Sequence, residues 1–102
     1  MKSADAIQYA INNLVSEYGY NTEAANGGVH YIWKDEQKGV AMTSEGFSYM
    51  RQGAVAFLDD NTVVVRSVAD NGLNAGEARF TGFAAVSVEL IAGAIETALE
   101  FI

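Results

Sequence analysis

Over the first eighteen residues, apolar side chains recur at the spacing of one helical face. Ile7, Ile11, Leu14 and Tyr18 line up, joined by Ala4 and Ala10, while Gln8, Asn12, Asn13 and Ser16 fall elsewhere on the surface. This predicts an opening helix with Ser3 as N-cap and Asp5 in the first turn, where the helix dipole favours an acid. Gly19 is placed to stop it in the left-handed C′ conformation. A polar connector over 20–28 follows, ending in Asn-Gly-Gly.

Beyond Gly28 the period shifts from that of a helix to that of strands. A strand is predicted over 29–34, a charged turn over 35–39 and a second strand over 40–43. After a turn at 44–46, a third strand runs over 47–58, with Gly53 the one position where a bulge could split it. Asp60-Asn61 suits a two-residue hairpin turn into a fourth strand over 62–68, and Asn71-Gly72 signals the next hairpin, with a fifth strand over 77–83. The last segment, 84–102, reads as one helix. Val88, Ile91, Ala94, Ile95, Ala98, Leu99 and Ile102 make it apolar over much of its girth, while Glu89, Gly93, Glu96 and Glu100 share one narrow face. A helix so apolar is buried more deeply than an ordinary surface helix. The economical arrangement is a single α+β domain over 1–102. It is a two-layer sandwich: an antiparallel meander of about five strands with the N- and C-terminal helices packed on one face.

The two tight turns fix a register. Leu58 faces Val63, Ala56 faces Val65, Val65 faces Ala78 and Val63 faces Phe80. Alternation then gathers Ala54, Ala56, Leu58, Val63, Val65, Ala78 and Phe80 on the helix side. The opposite, outer face carries Val55, Phe57, Val64, Arg66, Glu77, Arg79 and Thr81, with Arg66 directly opposite Glu77. Extending the third strand backward without a bulge adds Phe47, Tyr49 and Arg51, so that all three arginines share one surface with aromatic residues. A bulge at Gly53 would swap the faces upstream of it. The plain reading of this surface is a solvated sheet face with arginine stems covering apolar area. The functional reading is a partner-binding surface, since Arg and aromatic residues are enriched in protein interfaces.

Composition narrows the choice. Half of the 102 residues are hydrophobic and 19% are charged, well away from the disordered class. Thirteen acidic against six basic residues leave a net charge of -7, which opposes nucleic acid and anionic membranes and favours basic partners. Glu89, Glu96 and Glu100 make an acidic stripe on the last helix, either a solvated face or a docking stripe for a basic groove. No apolar run reaches the roughly 18 residues of a membrane span. The start of the chain lacks the continuous apolar region of a secretory signal, so a cytoplasmic location is expected. Small size alone suggests a bacterial or phage source.

Candidate chemistry is sparse. With no Cys, thiolate catalysis and Cys-ligated zinc are excluded. The single His30 and single Trp33 lie three apart on one strand and so point to opposite faces. Around Asp70, the calcium-loop positions hold Gly72, Asn74, Ala75 and Thr81, which breaks that pattern. Asp59-Asp60 reads as a turn rather than a carboxylate pair. Neither a phosphate-binding glycine loop nor a G-x-S-x-G elbow occurs. No cofactor is expected, and an enzyme is the weaker alternative. The favoured function is a small acidic, non-catalytic protein-binding domain that docks on a larger protein and modulates or inhibits it. Phe47, Tyr49, Arg51, Phe57, Arg66, Arg79, Glu89, Glu96 and Glu100 are its candidate contacts. In size, charge and lack of catalytic motifs the chain is similar in kind to phage-encoded inhibitors of host defence such as anti-CRISPR proteins, although no motif carries that likeness. The alternative is a homodimeric accessory or chaperone-like module, similar in size and acidity to small secretion chaperones.

Overall fold

The computed structural model describes residues 2–25, 28–34, 41–43, 46–49, 53–68 and 74–100. Helix α1 spans Ser3–Tyr18 and helix α2 spans Val88–Glu100. Between them lie β1 (Asn21–Ala25), β2 (Val29–Trp33), β3 (Ala41–Thr43), β4 (Gly46–Tyr49), β5 (Gly53–Asp59), β6 (Thr62–Val68) and β7 (Asn74–Phe80), then a 3-10 turn at Gly82–Val86. An antiparallel five-stranded sheet has the order β1-β2-β5-β6-β7, and β3 and β4 form a separate two-stranded sheet. Both helices pack on one face of the larger sheet, where Ile7, Ile11, Leu14, Ile91, Ile95 and Leu99 meet Ile32, Ala54, Ala56, Val63 and Val65. This is the expected two-layer α+β sandwich. Small residues on β5 leave room for the helices. Among the described residues no helix is long and apolar enough to cross a membrane.

The expected register holds through the hairpins. Leu58 pairs with Val63, Ala56 with Val65, Val65 with Ala78 and Val63 with Phe80. Asp60 takes the turn between β5 and β6 with φ 58, a left-handed conformation that Asp tolerates better than most residues. The register shifts by one residue between Ser67 and Val68, where Val68 faces Asn74. The irregularity therefore sits at the far end of β6, and the Asn71-Gly72 turn lies outside the described residues. On the helix side Leu58 is 40% exposed, because it lies at the end of β5 beyond the helices.

Several elements differ from expectation for identifiable reasons. The connector after α1 contains strand β1, whose Asn21–Ala25 pairs along β2 from Trp33 back to Val29. Its sequence, NTEAA, has poor β propensity, and backbone pairing across the turn before Val29 outweighs it. Gly28 stands in that turn at φ 77. The meander is also interrupted. Strand β2 takes β5 as its second neighbour, and β3 pairs with β4 outside the larger sheet. The stretch 47–58 is accordingly two strands in two sheets rather than one. Gly53 is not a bulge but the first residue of β5, opposite Val68. A Cβ built there would lie 2.6 Å from Tyr31 Cε1 and 2.8 Å from the Ile32 carbonyl oxygen. Glycine is required because the Tyr31 ring crosses the strand at that point.

Helix boundaries show similar local corrections. Lys2 occupies the N-cap of α1 and makes no side-chain cap bond, so Ser3 is the first helical residue. Gly19 ends the helix at φ 70, with its N–H donating to the Val15 carbonyl. The final segment is not one helix: β7 stops at Phe80, and Gly82, at φ 59, opens the 3-10 turn. Ser87 stands just before α2, its Oγ accepting the Leu90 N–H at 3.3 Å. At the other end, Ser67 Oγ donates to the Ala98 carbonyl at 2.8 Å. That bond satisfies one of the orphan carbonyls of the last helical turn and ties α2 to the sheet.

Candidate functional site

The β5-β6-β7 register builds a charged array on the outer sheet face. Arg66 stands opposite Glu77, and Val64 stands between Phe57 and Arg79. Arg66 Nε donates to Glu77 Oε1 at 2.7 Å, and Arg79 Nε donates to Glu77 Oε2 at 2.9 Å. Arg79 Nη1 reaches Asp59 Oδ2 at 3.2 Å. The Arg66 guanidinium also lies 4.8 Å from the centre of the Phe57 ring, its diagonal neighbour across the strands. The hydrogen bond from Arg66, seconded by Arg79, holds the Glu77 carboxyl below its ordinary pKa. Asp59 is the first cause that raises the Arg79 guanidinium above its own. Two cations and two anions thus compensate one another, in a half-exposed setting where each pair adds little to stability.

Of the residues expected on this face, the structure brings together Phe57, Arg66 and Arg79, and it adds Asp59, which the sequence assigned to a turn. The backbone of Phe47 and Tyr49 belongs to β4, outside the five-stranded sheet, and Arg51 lies outside the described residues. Toward β2 the same outer face is closed rather than solvated. Tyr31, Val55 and Val68 are buried there with Val29, Trp33 and Phe57 packed against them, and Tyr31 stacks on Trp33 at 5.0 Å. His30 points to the other side, as expected from the alternation. It is half-buried, and desolvation pushes its pKa down. Among the described residues no group of three His, Asp or Glu is placed to hold a metal ion.

A second charged feature runs along α2. Glu89, Glu96 and Glu100 share one face by their spacing of seven and four. Among the described residues none of the three has a cation within ion-pair distance. Glu96 instead accepts a hydrogen bond from the Tyr18 hydroxyl, the first cause raising that group's pKa. Tyr18 stacks on Tyr20 with ring centres 5.3 Å apart. Tyr18 is therefore not part of the buried stripe of α1 but an exposed link between the helices. Phe83 on the 3-10 turn is 94% exposed, and Leu90, next to Glu89 in the chain, is 52% exposed. The sequence pattern hid Phe83 by extending β7 through it. Gly82, between Thr81 and Phe83, is the signal that marks the break.

Neither a protein-family model, nor a curated protein, nor a solved structure matches this chain. The fold and the two charged surfaces define an α+β sandwich with an acidic helical layer.

Proposed function

We propose that this chain is a small acidic, non-catalytic protein-binding domain that docks on a basic surface of a larger protein and modulates or inhibits it. One observation carries the reading. Arg66 and Arg79 are paired with Glu77 and Asp59, whereas among the described residues Glu89, Glu96 and Glu100 on α2 have no ion-pair partner. Part of the acidic surplus of the composition, three of thirteen carboxylates, thus lies along one helix face that a partner can meet. Phe83 and Leu90, both exposed, supply apolar contacts of the kind that anchor interfaces. A cytoplasmic nucleic-acid-handling protein, whose own binding surface is basic, is the favoured target, and inhibition of the anti-CRISPR kind is one form the activity takes.

Charge complementarity acts mainly on association rate and specificity. Changing Glu89, Glu96 and Glu100 together to Gln is expected to slow association with the partner and flatten its salt dependence. Equal rates for the two proteins at low salt would reject docking through the stripe. The outer face is tested separately by Arg66→Glu with Arg79→Glu. Lost binding by a folded double variant assigns that face to the interface, and undiminished binding removes it.

A further inference from the structure

Strand β7 is an outer strand of the five-stranded sheet: it pairs with β6 and, among the described residues, with no other strand. Beside it runs a groove of about 330 Å³ between the sheet and α2, lined among others by Gly76, Ala78, Phe80, Gly93, Ala94 and Thr97. The Thr97 hydroxyl is already donated to the Gly93 carbonyl at 2.9 Å, so this helix wall presents small, largely apolar surface. Leu90, one turn before Ala94 and two before Thr97, continues the same wall into solvent. An open edge of seven residues is a template for another strand, and proteins usually blunt such edges.

The side chains of β7 restrict what fits. Residues directly opposite one another in an antiparallel pair share a face, so a second copy related by a twofold axis meets β7 only in registers that preserve the alternation. Centred on Glu77, the pairing sets Glu77 against itself, and centred on Arg79 it sets Arg79 against itself. Centred on Ala78, it sets Glu77 opposite Arg79 of the second copy, and does so twice. On the groove side the same register puts Phe80 of each copy opposite Gly76 of the other. An aromatic ring over a glycine is the arrangement the chain already uses at Tyr31 and Gly53.

We propose that two copies of this chain associate through antiparallel pairing of their β7 edges in the register centred on Ala78, joining the two sheets into one and closing the grooves beside the α2 helices. Sedimentation equilibrium over a wide concentration range tests this, with circular dichroism confirming the fold of each variant. The wild-type chain is expected to dimerise. Arg79→Glu alone, and Glu77→Arg alone, each place like charges opposite one another twice, raising the dimer dissociation constant roughly tenfold or more. Mixing those two variants restores opposite charges and is expected to restore dimers. Because the chain has no cysteine, Ala78→Cys provides a second readout. Opposite Cα atoms lie roughly 4.5–5.5 Å apart, within disulfide reach, so mild oxidation is expected to cross-link this variant and not Asn13→Cys on α1. A wild-type chain that stays monomeric into the millimolar range overturns the proposal, including one that takes up a foreign extended peptide on β7. So does a dimer that Ala78→Cys fails to cross-link.

Discussion

Replacing Gly53 with Ala puts the packing of the sheet to a test in which the sign alone decides. At an unobstructed strand position, Gly→Ala stabilises by about 0.4–1 kcal/mol, because the unfolded chain loses freedom. Here the added methyl carbon would lie 2.6 Å and 2.8 Å from Tyr31 Cε1 and Cζ, and 2.8 Å from the Ile32 carbonyl oxygen. Neither neighbour yields easily. Tyr31 is fully buried, and the Ile32 carbonyl belongs to the strand whose pairing with β5 sets Ile32 opposite Ala54. Relief requires moving the ring or spreading β2 from β5, and overpacking of this kind costs about 1–3 kcal/mol. For a domain of this length that corresponds to a fall in Tm of roughly 5–20 °C. Thermal and urea melts by far-ultraviolet circular dichroism measure the loss. Fluorescence of Trp33, stacked on Tyr31, reports whether the ring has moved. The further loss caused by Gly53→Ala should be smaller in a Tyr31→Val background than in wild type, though not zero, since the contact with the Ile32 carbonyl remains. A Gly53→Ala protein as stable as wild type, or more stable, refutes the close approach.

Other consequences can be checked with the same material. Ser67→Ala leaves the Ala98 carbonyl without its buried donor, and urea titration should show a loss of roughly 1–3 kcal/mol. The His30 pKa is depressed by burial, so as pH falls through 6.5 the unfolded chain binds a proton that the folded chain refuses. Stability should therefore drop as the pH falls from 6.5 toward the folded value, and His30→Gln should remove that component of the urea-midpoint profile. Tyr18→Phe removes the hydrogen bond to Glu96, and the Tyr18 component of the alkaline absorbance titration, which should lie above the ordinary tyrosine range, should vanish with it.

Much of the larger sheet was legible because its turns are short. Asp60-Asn61 leaves one pairing for β5 and β6, and alternation then fixes which residues face the helices and which face outward, down to the Arg66–Glu77 pair. The two helices were legible from their apolar spacing. The position of β2 was not, because adjacency in sequence favours β3 as its neighbour, whereas β2 pairs with the distant β5, where the Tyr31 ring lies over Gly53. That same pairing separates Phe47 and Tyr49 from the outer face. Strand β1 escaped notice because Asn, Thr, Glu and Ala carry no strand signal, and its pairing lies in the backbone. The charges were visible in the sequence but their division was not. Only the geometry shows that Glu77 serves two arginines and that Asp59 completes the array.

The most direct test of the account is a parallel capture from extract of the cells that express this chain. Tagged wild-type protein and the Glu89→Gln, Glu96→Gln, Glu100→Gln variant are compared at low and moderate salt, with retained proteins identified and quantified by mass spectrometry. The account predicts one stoichiometric protein with a basic surface, held by wild type and released or weakened in the triple variant. A partner retained equally by both, or no partner at all, would contradict it.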